Sequence, residues 1–459
     1  MKLRALAWRA SPWVLERNRI LETRVRVSSC VRVRVLLGNR PRRERRTPNV
    51  DELVRPWQLP PACRSRRTHE RSQLITPRFR SLASGGPTWP RRAAVLRKSF
   101  SVQERNEHAD RIGIHALGPR AAPGLRGIEI VVDRLARGLA SAGHDVLLAA
   151  PANSTCPVPV VPGLAEVDLG AGIAGDSITE LDHVVKAYAA MADMDVIHDH
   201  TVSGPLYRHR PAGVPVVTTN HGPFVPMVNG LYKQMSYDTA VVAISKNQAA
   251  TAEGVRIRAV IHHGIDVDSV PVGTGGGGFA VCLGRMNPTK GLREAILIAR
   301  DAGIPLRIAA KMREEAEHDY FDTQIAPLLS DEIEYVGELD ESAKFELLGQ
   351  AIALLNPIQW PEPFGLVMIE SLACGTPVVA TSAGSVPEII DDGVTGFIRD
   401  DLRDLADVLH KAAKLDRSEC RRVAQDRFSV SRMVVDHLEL YAKLVDEGCQ
   451  AMPGHVHAC

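Results

Sequence analysis

The stretch W-P-E-P-F-G-L-V-M-I-E-S-L-A-C-G-T-P-V-V-A-T-S-A-G-S-V-P-E-I-I-D-D-G-V-T-G-F runs from Trp360 to Phe397 and alternates loop, helix, strand, turn and helix start. Pro361 and Pro363 hold its entry extended, and Phe364-Gly365 can open a helix whose free amides, those of Leu366 and Val367 among them, form an anion site fit for a phosphate. Glu362 and Glu370 stand eight positions apart, the first in the Pro-bounded loop and the second inside an apolar helical run. Flanked by Val367, Met368, Ile369, Leu372 and Ala373, the Glu370 carboxylate is short of water and calls for a cation or a vicinal diol, such as that of a ribose. Cys374-Gly375-Thr376-Pro377 then breaks into the β-branched strand Val378-Val379-Ala380, and Gly384 to Pro387 makes a small-residue turn before a second helix start. An ordinary β-loop-α unit with two solvated glutamates accounts for the spacing alone; the whole run favours a ligand site.

That run resembles the nucleotide-sugar site of the retaining GT-B glycosyltransferases, in particular glycosyltransferase family 4. In that family a glutamate, seven intervening residues and a second glutamate mark the donor site, and Glu362 and Glu370 match them. The resemblance extends from about Arg111 to Leu444. It implies an α/β chain of GT-B type, two Rossmann-like doubly wound parallel-sheet domains facing a cleft. It also implies transfer of a hexose from a nucleotide-diphosphate sugar to an acceptor, which could be a saccharide, a lipid or a small molecule. Retention of anomeric configuration, without cofactor or metal, belongs to the same expectation.

Composition agrees with such a chain. Its 459 residues, 45% hydrophobic and 24% charged, suffice for two or three domains with cores of their own. No segment approaches eighteen consecutive apolar residues, so a membrane span is not expected, while peripheral membrane contact stays open. The cysteines, at 30, 63, 156, 282, 374, 420, 449 and 459, lack metal-ligand spacing, and reduced thiols in a cytoplasmic protein are the default reading.

The formal charge of +2 conceals an asymmetry: residues 1–110 hold 24 Arg and 2 Lys against 9 acidic residues, about +17, which leaves about −15 for the rest. This Arg-rich extension lacks sustained helical periodicity and reads as disordered. Without aromatic interleaving or a folded module it is not expected to bind nucleic acid. A transit peptide would be shorter and poorer in acidic residues. Translated upstream sequence is the favoured reading, although Met191 is the next methionine after Met1, so a shorter product needs a non-Met start.

From Arg111 onward apolar strands alternate with amphipathic helices, the pattern of parallel doubly wound sheets. Expected strands of a first, acceptor-side domain (111–270) are Arg111 to Leu117, Asp145 to Pro151, Asp195 to His200, Val214 to Asn220, Ala240 to Ser245 and Ala259 to His263. Its clearest helix is Ile128 to Ala142, with Ile128, Val131, Val132, Leu135, Leu139 and Ala142 on one face. A Gly-rich hinge is expected at 271–278. The second, donor-side domain (279–430) should carry strands at Phe279 to Gly284, Leu306 to Lys311, Ile333 to Gly337, Ile352 to Pro357, Pro377 to Thr381 and Gly396 to Arg399. The resemblance places a last helix (431–448) back against the first domain, with 449–459 as a tail.

Ligands of open α/β sheets collect at the carboxyl ends of the strands. There G-R-M-N-P-T-K-G, Gly284 to Gly291, presents Arg285 and Lys290 on either side of a Pro turn, a fork and a point charge that together can neutralise a diphosphate leaving group. Two solvated surface cations are the bland alternative, and the likeness to the family's phosphate clamp weighs against it. Gly337, in Y-V-G-E-L, resembles the segment whose backbone meets the base. In the first domain Gly127 permits close backbone approach, but the family carries two glycines where this chain has Arg126-Gly127. His221, in T-T-N-H-G-P-F, matches the family's histidine beside the donor sugar, in a role of hydrogen bonding to a sugar hydroxyl. His198-Asp199-His200 has a metal-like spacing without a converging third set, so it reads as acceptor-side or supporting, and His262 to Asp266 as shaping the hinge. The resemblance thus nominates Glu362, His221, Arg285 and Lys290 for chemistry. For the donor it nominates Gly127, Gly284, Arg285, Lys290, Gly337, Phe364, Gly365, Leu366, Val367 and Glu370. A GT-B epimerase, for which no proton-abstracting acids can be placed, and a non-catalytic nucleotide-sugar binder are the competing readings.

Overall fold

The computed structural model describes residues 111–115, 127–162, 164 and 177–450. The Arg-rich extension, Arg126, Ala116-Leu117 and the tail beyond residue 450 lie outside the described residues.

Two parallel sheets organise the chain. The first contains β1 (Arg111–His115), β2 (Asp145–Ala149), β3 (Val196–Asp199), β4 (Val216–Thr219), β5 (Ala240–Ala243) and β6 (Ile257–Val260), in the order β2-β1-β3-β4-β5-β6. The second contains β7 (Ala280–Arg285), β8 (Leu306–Lys311), β9 (Ile333–Gly337), β10 (Ala353–Asn356), β11 (Val378–Ala380) and β12 (Gly396–Ile398), in the order β12-β11-β10-β7-β8-β9. β3, β4 and β5 are buried along their whole length, as strands covered on both faces are, and this burial includes the polar carboxyl ends of β3 (His198, Asp199) and β4 (Thr218, Thr219). In each sheet the order reverses beside the lobe's first strand, between β1 and β3 and between β7 and β10. Such switch points open a crevice at the strands' carboxyl ends.

The covering helices of the first lobe are α1 (Gly127–Ser141), α2 (Ser177–Ala190), α3 (Pro226–Met235) and α4 (Lys246–Ala250). Those of the second are α5 (Leu292–Ala302), α6 (Glu315–Tyr320), α7 (Glu341–Gln350), α8 (Leu366–Ala373), α9 (Val386–Ile389), α10 (Leu402–Ala412) and α11 (Arg417–Phe428). The last helix, α12 (Val430–Gln450), returns to the first lobe, where Met433, Val434, Leu440 and Tyr441 join Ile112, Ile114, Leu135 and Leu139 in one apolar cluster. Gly138 makes that crossing close: a Cβ there would stand 2.5 Å from Val434 Cγ2. No helix among the described residues is long and apolar enough to cross a membrane.

Several boundaries move by a residue or two relative to the sequence pattern, where fully buried pairing gives way to loop. The largest shift is at β6, which ends at Val260, so His262 and His263 leave the sheet; His262 turns toward Glu388 in the second lobe. The Gly-rich segment is fastened to the second lobe, its Gly273, Gly275 and Gly277 amides donating to the carbonyls of Cys374, Gly349 and Gln350. Gly273 and Gly349 cross backbone to backbone, since a Cβ on Gly273 would lie 2.0 Å from the Gly349 carbonyl oxygen.

Candidate active site

In the second lobe the loop after β7 folds around Asn287, whose side chain accepts from the Thr289 amide, and Gly291 turns at φ +70 against Pro357, where a Cβ would meet the carbonyl at 2.0 Å. This turn aims Lys290 inward. Its Nζ lies 2.5 Å from Glu362 Oε2, which also accepts from Trp360 Nε1 at 2.7 Å. The ammonium stands 5.3 Å from the Trp360 ring centroid as well, so the loop before α8 supplies a carboxylate and an aromatic face to one cation. Gly365, at φ +82, then starts α8 without a side-chain cap, and the first-turn amides of Leu366 and Val367 have no partner within their own helix.

Glu370 is 3% exposed on α8, and its charge is met by Lys344 of α7, Nζ to Oε1 2.7 Å. The cation anticipated for this carboxylate is therefore a protein side chain, one that the sequence reading did not single out. Arg285 departs from the pattern of paired cations. Its Nε and Nη2 donate to Glu317 and Glu314 at 2.7 and 2.8 Å, which draws the guanidinium toward α6 and away from Lys290. To clamp a phosphate it would use its remaining nitrogen or exchange these partners. Gly337 ends β9 at φ +87, and the next residue, Glu338, faces Lys311 and Arg313 at 3.9 and 3.2 Å. Burial pulls the Lys311 ammonium below its ordinary pKa, Glu338 opposing.

The first lobe meets this surface closely. A Cβ on Gly127 would stand 3.1 Å from Leu366 Cδ1, so the N-termini of α1 and α8, each the positive end of a helix, face one another across the cleft. His221 follows β4 in a loop held by buried Gln248, whose Nε2 donates to the carbonyls of Asn220 and Gly222 at 2.8 and 2.6 Å. His221 Nε2 and His200 Nδ1 are 2.9 Å apart, and the His221 ring stacks on His263 at 5.2 Å. His263 in turn packs its ring against Phe364, centroids 5.0 Å apart, joining the histidines to the loop that carries Glu362. His263 thus belongs to the cleft wall.

Period-two alternation separates the members of His198-Asp199-His200. Asp199 points to one face, where His115 Nδ1 lies 3.0 Å away and Tyr188 donates at 2.8 Å. His198 is on the other face, its nitrogens 2.7 and 2.8 Å from Tyr441 Oη and Thr219 Oγ1, with its ring beside those of His200 and His437. Burial in this crowd of imidazoles disfavours the charged form: His221 is pushed down to about 3 and His437 to about 4. These rings are neutral hydrogen-bonding groups at neutral pH. His437 and Tyr441 come from α12, and no local signal in the sequence tied them to the site.

Glu388 of α9 closes the lobes at another point. Its two carboxylate oxygens accept from the amides of Lys246 and Asn247 at 2.8 and 2.7 Å, capping α4, and His262 Nε2 lies 3.1 Å away.

Comparison with known proteins agrees with this fold. Residues 274–426 match the family described as Glycosyl transferases group 1, and residues 125–269 match Glycosyltransferase Family 4. D-inositol 3-phosphate glycosyltransferase of Mycolicibacterium smegmatis is 28% identical over 417 residues, 78% of this chain and 92% of its own. Phosphatidyl-myo-inositol mannosyltransferase of the same organism is 26% identical over 299 residues, 59% of this chain and 76% of its own. Among solved structures, sucrose-phosphate synthase from Thermosynechococcus elongatus superposes with a TM-score of 0.60 at 19% identity, covering 74% of this chain and all of the other. Anabaena HepE, solved with UDP and glucose, gives 0.57 at 20%, covering 73% and 100%. The fold is that of the GT-B enzymes, and the chain belongs to glycosyltransferase family 4.

Proposed function

We propose that this glycosyltransferase moves a hexose from a nucleoside-diphosphate sugar to an acceptor hydroxyl and retains the anomeric configuration. The contact between Lys290 and Glu362 at the mouth of α8, opposite Gly127, carries the reading, because it puts a cation and a carboxylate beside two helix N-termini. A diphosphate leaving group would take Lys290 and the amides of Leu366 and Val367 as its partners. Released from Lys290, Glu362 would accept from sugar hydroxyls. Arg285 would join the clamp on exchanging Glu314 or Glu317 for phosphate. Glu370, kept beside Lys344, would accept from the ribose diol, and the base would lie over the backbone at Gly337. Neutral His221 suits a hydrogen bond to a sugar hydroxyl and cannot serve as a cation at neutral pH.

Stabilisation of the departing diphosphate would supply the main part of the rate, as the sugar gains oxocarbenium character. Retention then follows from same-face attack, with a donor phosphate oxygen taking the acceptor proton; no metal is assigned a role. A cytoplasmic setting, where such donors are made and thiols like those of Cys282, Cys374 and Cys420 stay reduced, fits this chemistry. The test is incubation with UDP-glucose and with GDP-mannose, with D-inositol 3-phosphate and phosphatidylinositol as first acceptors because two relatives bear inositol acceptors in their names. Acceptor-dependent release of nucleoside diphosphate, with product of the donor's anomeric configuration by NMR, is the expected result. Release of none from either donor, or an inverted product, would overturn it.

A further inference from the structure

The contact between His200 and His221 goes beyond holding a loop in place. Both rings sit in an array that continues through His198 and His437, in which charging any member is opposed by burial. A neutral imidazole carries one N–H, so across the 2.9 Å between His200 Nδ1 and His221 Nε2 one ring donates and the other accepts. The tautomer of one ring then dictates that of the other. The two outer nitrogens, His200 Nε2 and His221 Nδ1, are shut off from solvent and have no hydrogen-bond partner among the described residues. They must be opposite in character: if Nδ1 of His221 is the donor, Nε2 of His200 is the acceptor, and the reverse.

The surroundings hold the His200 backbone and ring in place. Its amide donates to the His115 carbonyl at 2.9 Å, and its ring lies 4.1 Å from that of His198, which is held at both nitrogens by Tyr441 and Thr219. The His221 loop is pinned independently by Gln248. Two rigidly held rings sharing one hydrogen bond leave His221 Nδ1 as the only nitrogen of that ring without a partner among the described residues, and a sugar hydroxyl reaches it once the atoms that cover it move aside.

We infer that His200 is a positioning residue for the donor sugar: it fixes the ring orientation and tautomer of His221, so that Nδ1 presents a single hydrogen-bonding character to a sugar hydroxyl. This rests on the donor-side reading of His221 proposed above. His200 touches no substrate in this scheme and acts through His221 alone.

The experiment compares His221→Ala, His200→Leu and His200→Asn by calorimetric binding of UDP-glucose and UDP, or of GDP-mannose and GDP, whichever sugar donor the parent turns over faster. An asparagine amide reaches the position of Nδ1 and can donate or accept there; leucine cannot. The expected result is that His221→Ala and His200→Leu bind the sugar donor roughly tenfold more weakly, the size of one lost hydrogen bond, with the bare diphosphate unaffected, and that His200→Asn restores most of the loss. Equal impairment of Leu and Asn, or a His200→Leu protein that binds like the parent while His221→Ala is impaired, overturns the inference and leaves the donor-side reading standing. A His221→Ala protein that binds like the parent overturns that reading, and the inference with it. Should His200→Leu not fold, ¹⁵N spectra of histidine-labelled parent decide: well-separated His221 nitrogen resonances support a fixed tautomer, and averaged ones overturn it.

Discussion

Replacing Lys290 by alanine probes the proposed site at its centre. The side chain is 23% exposed and lies 2.5 Å from Glu362, itself 14% exposed, so two separate losses follow. If Lys290 meets charge that develops only as the donor bond breaks, its removal should lower kcat by roughly 10²–10³, about 2.7–4 kcal/mol of transition-state stabilisation. The fold loses less. Glu362 keeps the Trp360 hydrogen bond at 2.7 Å, and a partly stripped carboxylate that loses one charged partner should cost roughly 1–3 kcal/mol of stability. The two losses separate in a double variant. Adding Glu362→Gln to Lys290→Ala removes the orphaned charge, so melting temperature should recover while turnover does not. Turnover is read as nucleoside diphosphate released at saturating donor, with melting followed on the same samples. A Lys290→Ala enzyme working at the parent rate would refute the assignment, as would a double variant in which rate and melting temperature recover together.

Glu362→Gln and Glu370→Gln should fail differently. The first should depress kcat with little change in KM for the donor, and the second should weaken donor binding by about 1.5–3 kcal/mol, the worth of a bond to a charged group. Equal losses that track melting temperature would leave both roles without support. Gly138→Ala should lower the urea midpoint by the equivalent of about 1–3 kcal/mol, because the new methyl meets Val434 at the crossing of α1 and α12; an unchanged midpoint would mean that the crossing can widen freely. The histidines make stability acid-sensitive. His221 and His437 lie at about 3 and about 4 when folded, against 6.5 otherwise, so the unfolded chain binds more protons as pH falls below 6.5. Stability present above that pH should be lost at about 1.4 kcal/mol per pH unit for each histidine until the folded values are reached. Urea midpoints that do not move between about pH 7 and about pH 5 would contradict this linkage.

Local order was legible in the sequence wherever it depends on period. β8 and β9 have the bounds that their apolar runs announce, and α1 keeps the face of Val131, Val132, Leu135 and Leu139. Pairing between distant residues leaves no such trace. Lys290 and Glu362 are 72 positions apart and were associated only through a family pattern, while His198 and Tyr441, 243 apart, carried no signal at all. Lys344 carries no sequence signal because a lysine in a helix's first turn looks like any solvated cation; burial beside Glu370 distinguishes it, and burial is a property of the fold. The orientation of Arg285 was hidden for the same reason. Its motif places the cation at a strand end, but the carboxylates that claim it, Glu317 of α6 and Glu314 at the N-cap of that helix, come three elements later.

The return of α12 sets an order of events at birth. The first lobe leaves the ribosome first, yet one wall of its core, Met433, Val434, Leu440 and Tyr441, is translated after every strand of both sheets. Domains usually mature in the order of synthesis. Here the second lobe has all its strands and α5 to α11 in hand by Phe428, while the nascent first lobe still exposes the apolar face that Gly138 keeps open for Val434. The lobe made earlier is therefore completed later, and His198 meets Tyr441 only in that last step. A chain halted before Val430 would keep every nominated donor-side residue and leave a protein whose first lobe, not its second, is the part exposed to proteolysis.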